Sequence, residues 1–280
     1  VSRPVFRFAP SPTGWLHRGH AFSALTAFRA CRRSGGVYRL RIEDIDRIRC
    51  RPEFERGVLE DLDWLGVSWD GPLLRQSERG AAYEAALERL TTAGLAYRCF
   101  RTRREVAEMM TRAPHGDEPV FFGERLPPHE EHRRLADGDP FAWRLDVREA
   151  LGRVGPLTFL ETGEGPEGET GLQVAQADLA GDIVLARRDI GVAYHLAVVV
   201  DDAFQDVSRV VRGRDLFGAT SVQRLLQVLL ELPEPVYHHH RLLVGPDGKR
   251  YAKRDKAETL QAIREHGITP EQLIAELDLD

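Results

Sequence analysis

"FAPSPTGWLHRGH", residues 8–20, sets two prolines, two glycines and two histidines between an apolar strand and an apolar helix. Upstream, "PVFRFAP" reads as a short strand. Downstream, from about Leu16, the apolar positions Phe22, Leu25, Thr26, Phe28 and Ala30 recur at helical spacing up to the glycine pair at 35 and 36. A helix that starts just past a Pro and Gly turn presents unpaired backbone N–H groups at its positive end, a setting suited to an anion such as a triphosphate. The stretch is neither a GxxxxGK[ST] loop nor a GxGxxG turn. A plainer reading stays open, in which His17 and His20 only cap or pack the helix.

Working outward, "VYRLRIED" predicts a second strand. Residues 52–65 and 81–93 predict amphipathic helices, the first with Pro52 at its opening position. Strand, helix, strand, helix implies an α/β fold with parallel pairing. From 96 to 176 the texture changes to short segments broken by "APHGDEP", "GERLPPHEEH", "DGDP" and "TGEGPEGETG". That texture predicts an inserted subdomain dividing the core into 1–95 and 177–232, with 233–280 as a basic loop and a small helical region. In the last segment "TPEQLIAELD" carries a capping-box pattern at Thr269, Pro270 and Gln272.

The 280 residues, 42% hydrophobic, suffice for a substantial core, and no apolar run approaches the ~20 residues of a membrane span. A soluble cytoplasmic protein is expected. Cys31, Cys50 and Cys99 are odd in number and far apart, which predicts free thiols in a reducing compartment. A net charge of -5 does not mark a nucleic-acid binder, though it says nothing of local patches. Arginine supplies all but three of the 39 basic residues, and those three, Lys249, Lys253 and Lys256, fall in one short stretch around "GPDGKRYAKRD". An ammonium offers compact, mobile donors where guanidinium offers a wide fork. Alone, such a loop is most often a solvated turn.

The pairing of "HRGH" with the distant "RYAKR" resembles the two signature sequences, HIGH and KMSKS, of the class I aminoacyl-tRNA synthetases. "RFAPSPTGWLHRGH", "RIEDID", "YHLAVVVDD" and "VVRGRDL" resemble the glutamyl branch, in order and across nearly the whole catalytic region. The sequence ends at Asp280, so no large helical anticodon-binding domain is expected. The likeness is therefore to the truncated glutamyl-queuosine paralogues of that branch, which attach glutamate to the queuosine base in the anticodon of tRNA(Asp).

The resemblance implies a class I, Rossmann-like nucleotide-binding core with an inserted α/β subdomain and a small C-terminal helical region. It implies ATP-dependent formation of glutamyl adenylate, with magnesium accompanying ATP. His17, Gly19 and His20 would surround the nucleotide, and Lys253 would neutralise the departing pyrophosphate. Arg7, Ala9, Ser11, Glu43, Tyr194 and Arg212 would form the glutamate pocket, the arginines forking a carboxylate and Glu43 meeting the ammonium. For the arginines a surface ion pair, and for Glu43 a bridge to Arg41 or Arg47, remain the alternatives. The acceptor would be the tRNA(Asp) anticodon stem-loop, met by Arg98, Arg101, Arg103 and Arg104 unless these merely solvate a helix face. A monomer is expected.

Two departures stand out. Relatives carry zinc in the insertion through CxC, a tyrosine and a third cysteine, whereas here Cys99 is followed by Arg101, Phe121 and Arg125 at the other positions. One thiolate does not make a four-ligand site, so no zinc is expected. In the basic loop, Arg250 and Ala252 replace the first lysine and the serine. The other readings open at this point are a free-standing domain that charges the 3′ end of a tRNA, and a non-catalytic nucleotide- or RNA-binding paralogue.

Overall fold

The computed structural model describes residues 3–111, 120–187, 191–243 and 258–279. In chain order its elements are β1 (Val5–Phe8), α1 (Arg18–Arg33), β2 (Val37–Ile42), α2 (Pro52–Trp64), β3 (Leu74–Arg75), α3 (Gly80–Thr92), β4 (Ala96–Cys99), α4 (Arg103–Thr111), α5 (Pro128–Ala136), β5 (Ala142–Leu145) and α6 (Val147–Val154). There follow β6 (Thr158–Glu161), β7 (Gly171–Val174), β8 (Val184–Arg187), β9 (Gly191–Val192), α7 (Tyr194–Phe204), β10 (Arg209–Gly213), α8 (Phe217–Leu229), β11 (Val236–His240), α9 (Leu260–Glu265) and α10 (Pro270–Glu276).

The larger sheet runs β3-β2-β1-β10-β11-β6-β7, with every pair parallel except the β6–β7 hairpin. Strand order reverses between β1 and β10. In open α/β sheets such a switch point opens a crevice beyond the carboxyl ends of the strands. The smaller sheet, β4-β5-β8-β9, is antiparallel throughout.

The helices expected from periodicity form where their apolar faces find the sheet. α1 buries Ala21, Phe22, Ala24, Leu25 and Ala27 against β1 and β2, and α9 and α10 close the same core with Leu260, Ile263, Leu273 and Leu277. The Thr269 capping box forms, with Gln272 Oε1 accepting from Thr269 N at 2.8 Å. Cys31, Cys50 and Cys99 are all free thiols. Among the described residues no helix is long and apolar enough to cross a membrane.

The sheets divide the chain differently from the 96–176 boundary. The β6–β7 hairpin, inside that span, returns to the large sheet beside β11, while β8 and β9, beyond it, complete the small one. Glycine and proline spacing marks turns but not the partner a strand will choose, because pairing depends on apolar faces distant in sequence.

Asp61 on α2 is 1% exposed and meets Arg264 on α9 at 3.4 Å. Burial pushes its carboxyl up to about 6, against the pull of Arg264, with Glu60 adding to the rise. The folded protein therefore holds this proton more tightly than the unfolded chain. The associated stability is complete in acid, below about 4, and is lost as pH rises through about 6. Asp61→Asn is accordingly expected to stabilise the fold at pH 8 by about 2 kcal/mol, a rise of about 5 °C in melting temperature. The gain should shrink as pH falls to 5, and calorimetry at the two pH values checks it.

Candidate active site

The turn at 8–20 ends in a helix cap made by its own histidines. His17 Nδ1 accepts from Gly19 N at 3.1 Å, and His20 Nδ1 accepts from His17 N at 3.2 Å, a reciprocal capping box that begins α1. A backbone N–H only donates, so each Nδ1 is an acceptor and each ring carries its proton on Nε2. The rings lie 3.9 Å apart. Gly19 fits this arrangement because a Cβ there would stand 3.0 Å from His17 Cε1. Further back, Trp15 rests against Gly57 in mid-helix α2, where a Cβ would meet its ring at 2.5 Å; glycine's helix penalty is accepted for that contact. Thus the capping reading of the histidines is realised, on rings that also line a cavity.

That cavity, of about 580 Å³, opens at the β1/β10 switch point. Arg7, Ala9, Ser11, His17, Gly19, His20, Glu43, Tyr194 and Arg212 all line it, so nine positions spread over more than 200 residues of sequence meet at one place. β1, β2, β10 and β11 deliver their carboxyl ends to it, and α1 and α7 their amino ends. The loop after β1 is tied down by Glu43 N donating to Pro10 O at 3.0 Å and Arg51 N to Pro12 O at 3.1 Å.

Lys253, with Arg250 and Ala252, lies outside the described residues. The described chain breaks off after Leu243, which lines the cavity, and resumes at Glu258. Thr259 then bridges His17, Leu260 N donates to Leu16 O at 2.8 Å, and Glu258 meets Arg18 at 3.6 Å. Leu243 thus lines the cavity and Thr259 meets His17, which also lines it.

The two pocket arginines are held differently. Arg7 Nε donates to Asp202 Oδ1 at 3.2 Å, and Arg41 Nη2 reaches the same oxygen at 2.8 Å and Glu43 Oε1 at 3.3 Å. Arg41 is fully buried. The alternative expectation for Glu43, a bridge to Arg41, is thus met inside the pocket. Burial holds the Glu43 carboxyl above its ordinary value, although Arg41 and Arg7 pull it down. Arg212, 5% exposed, instead donates to neutral acceptors, with Nη1 to Gln223 Oε1 at 2.8 Å and Nη2 to Thr220 Oγ1 at 2.7 Å. It forms no ion pair with a described carboxylate. A buried guanidinium that no described carboxylate pairs is a ready anion site, because burying a charge without a counter-charge is costly.

Sequence reasoning names Arg41 only as an alternative partner of Glu43 and gives Asp202 no role; the two carboxylates that close the apolar helix in "VVVDD" are the available signal for it. "HHH" at 238–240 does not converge on a metal, because side chains on β11 alternate faces and His239 is buried opposite its neighbours. Among the described residues no cluster of three or more His, Cys, Asp or Glu is arranged to hold a metal.

In the small sheet, Cys99 packs with Tyr97, Val106 and Phe121. Asp182 accepts from Tyr97 Oη at 2.7 Å and Gly123 N at 2.8 Å, and Arg125 pairs with Asp146 at 3.3 Å. Of the basic cluster, Arg98 pairs with Glu131 and lies over Trp143, and Arg104 pairs with Glu108 along its helix. Arg101 and Arg103 border a cleft of about 610 Å³ with Phe100 and Phe141.

Residues 5–279 match the family of tRNA synthetases class I (E and Q), catalytic domain. This chain belongs to that family. It is 45% identical over 271 residues to the Glutamyl-Q tRNA(Asp) synthetase of Rhodobacter capsulatus, covering 95% of this chain and 96% of that protein. The Glutamyl-Q tRNA(Asp) synthetase of Nocardia farcinica is 43% identical, over 96% and 82% of the two chains. A crystal structure of a glutamate tRNA ligase from Elizabethkingia meningosepticum, in complex with its amino acid, superposes with a TM-score of 0.81 at 27% identity. That superposition covers 99% of this chain and 60% of the ligase, so the chain spans about three fifths of that structure. The Rossmann-like α/β core expected from the four sequence blocks is the family's fold. As a family member the chain is an ATP-using ligase.

Proposed function

We propose that this chain activates glutamate with ATP and transfers it to the queuosine base in the anticodon of tRNA(Asp). The observation that carries the reading is the single cavity in which Arg212, Glu43 and the histidine-capped start of α1 face one another. These are a cation for a carboxylate, an anion for an ammonium and a phosphate site.

A glutamate α-carboxylate oxygen attacks the α-phosphorus of ATP, forming the acyl–phosphate bond as the bond to pyrophosphate breaks. Nε2–H donors of His17 and His20 meet phosphate oxygens, and Lys253 takes up charge on the leaving pyrophosphate. Arg7, Ala9, Ser11, Tyr194 and Arg212 hold glutamate while Glu43 holds its ammonium. A hydroxyl of the acceptor then attacks the acyl carbon, releasing AMP. Magnesium, bound with ATP, would supply further charge neutralisation at the phosphates. The small sheet needs no zinc, since Cys99 sits in an apolar cluster and Arg125 is ion-paired.

The close relatives named for glutamyl-Q formation favour the modified base as acceptor over a 3′ end. The anticodon stem-loop would run from the cavity towards the cleft of Arg101, Arg103 and Phe141, where cations meet phosphates and aromatic rings offer stacking. ATP, glutamate and tRNA meet in the cytoplasm, where we place the protein as a monomer. The test is transfer of labelled glutamate to queuosine-containing tRNA(Asp), the same tRNA without queuosine, and tRNA(Glu). Label on the first alone is expected. Label on tRNA(Glu) makes the protein an aminoacylating enzyme, and no label with any of the three makes it a binding paralogue.

A further inference from the structure

We propose that Glu161 and His239 form a positioning relay that holds Arg212 for its ligand. Glu161 fixes the proton of His239 on Nδ1, which leaves Nε2 as the acceptor for Arg212 Nε–H. The inference rests on the reading of Arg212 as the cation for a glutamate carboxylate.

The geometry leaves little choice of tautomer. Arg212 Nε lies 3.0 Å from His239 Nε2 and, as part of a guanidinium, can only donate. Nε2 must therefore accept, and the ring proton must be on Nδ1. There it meets Glu161 Oε2 at 2.5 Å, with both side chains fully buried. Glu161 is itself pinned, since Oε1 accepts from His239 N at 2.8 Å and Gly163 N at 2.7 Å. The charges agree with this assignment. Burial drives the His239 imidazole towards its neutral form, and burial of Glu161 is outweighed by the hydrogen bonds from His239, which keep its carboxylate ionised.

The relay connects elements distant in sequence. Glu161 closes β6, His239 sits in β11 and Arg212 in β10, and strand pairing sets Arg212 opposite His239. Three of Arg212's five N–H groups are engaged by His239, Gln223 and Thr220, so its fork is held in one plane with the remaining donors available to a carboxylate. Because Glu161 stands one imidazole away, it orients the cation without contacting and cancelling it. The β6–β7 hairpin, which belongs to the large sheet despite interrupting the core sequence, thereby acquires a role at the site.

The substitution Glu161→Gln keeps the shape and an oxygen for the two backbone donors. Its amide presents N–H to His239 Nδ1, which forces the proton to Nε2 and sets two donors face to face at Arg212. Glutamate-dependent ATP–pyrophosphate exchange is expected to show a glutamate KM raised about tenfold or more, with the ATP KM within about twofold and the melting temperature within a few degrees. His239→Gln, whose amide oxygen reaches the place of Nε2, is expected to retain more glutamate affinity than His239→Phe. An unchanged glutamate KM in Glu161→Gln overturns the relay.

Imidazole 15N shifts, with His239 assigned by its loss in His239→Gln, read the tautomer independently of activity. A neutral ring protonated on Nδ1 supports the proposal, and one protonated on Nε2, or on both nitrogens at pH 8, overturns it. A wild-type protein lacking glutamate-dependent exchange would refute the functional reading, while the nitrogen shifts would still decide the relay.

Discussion

Replacing Arg212 by alanine is expected to lower kcat/KM for glutamate about a hundredfold or more in ATP–pyrophosphate exchange, while the KM for ATP stays within about threefold. The asymmetry follows from how the side chain is held. Arg212 is buried and its three contacting acceptors among the described residues are neutral, so an anion entering the cavity gains a guanidinium that no described carboxylate contacts. Binding glutamate supplies that anion to a guanidinium that is itself 5% exposed, where one paired charge is worth more than at the surface. Arg212→Lys should fall well short of wild type, because one ammonium does not span His239, Gln223 and Thr220 while also forking a carboxylate. Loss of three buried acceptor contacts costs the fold about 1–3 kcal/mol each, offset in part by removing a buried charge that no described carboxylate pairs. Unchanged glutamate saturation in a folded Arg212→Ala protein would remove this residue from the substrate site.

Asp202→Ala should act mainly on stability. Its Oδ1 lies 3.2 Å from Arg7 Nε and 2.8 Å from Arg41 Nη2, and Arg41 is fully buried, so deletion strands two guanidiniums with Glu43 as the nearest described carboxylate of Arg41. Breaking a buried pair on one side costs about 3–5 kcal/mol, or about 10 °C in melting temperature for a chain of this size. The pH dependence separates this from a packing defect. Burial raises the Asp202 carboxyl, but Arg7 and Arg41 outweigh it and hold the group below its ordinary value of 3.8. Its contribution is therefore present above about 4 and is lost only as pH falls through the depressed value. Asp202→Asn lacks that contribution at every pH, so the two stability curves should converge in acid. Curves that stay parallel down to pH 3 would mean the carboxylate's charge is not what holds the arginines.

Much of the α/β core could be read from local pattern. The period of 3.6 in residues 16–34, Pro52 at a helix start and the Thr269 box are each decided within a few residues, and α1, α2 and α10 form where they were expected. The allocation of strands to sheets could not. Whether β6 pairs with β11 or with the small sheet depends on which apolar face covers Phe159, and the residues that do so, Val210 and Tyr237, are some 50 to 80 positions away.

The same division runs through the site. The Pro and Gly turn with its histidines is legible in the sequence as an anion-binding helix start, whereas carboxylate and ammonium recognition by the arginines and Glu43 is implied by the family resemblance, the residues alone leaving surface ion pairs open. What tertiary structure alone decided is which charges cancel. Arg7 and Arg212 look alike as letters in "RFAPS" and "VVRGRD", yet one lies on Asp202 and the other on His239, Gln223 and Thr220. A side chain's type follows from its codon, but its effective charge depends on what long-range packing buries beside it, and electrostatic coupling within a few ångströms carries no signature in linear spacing.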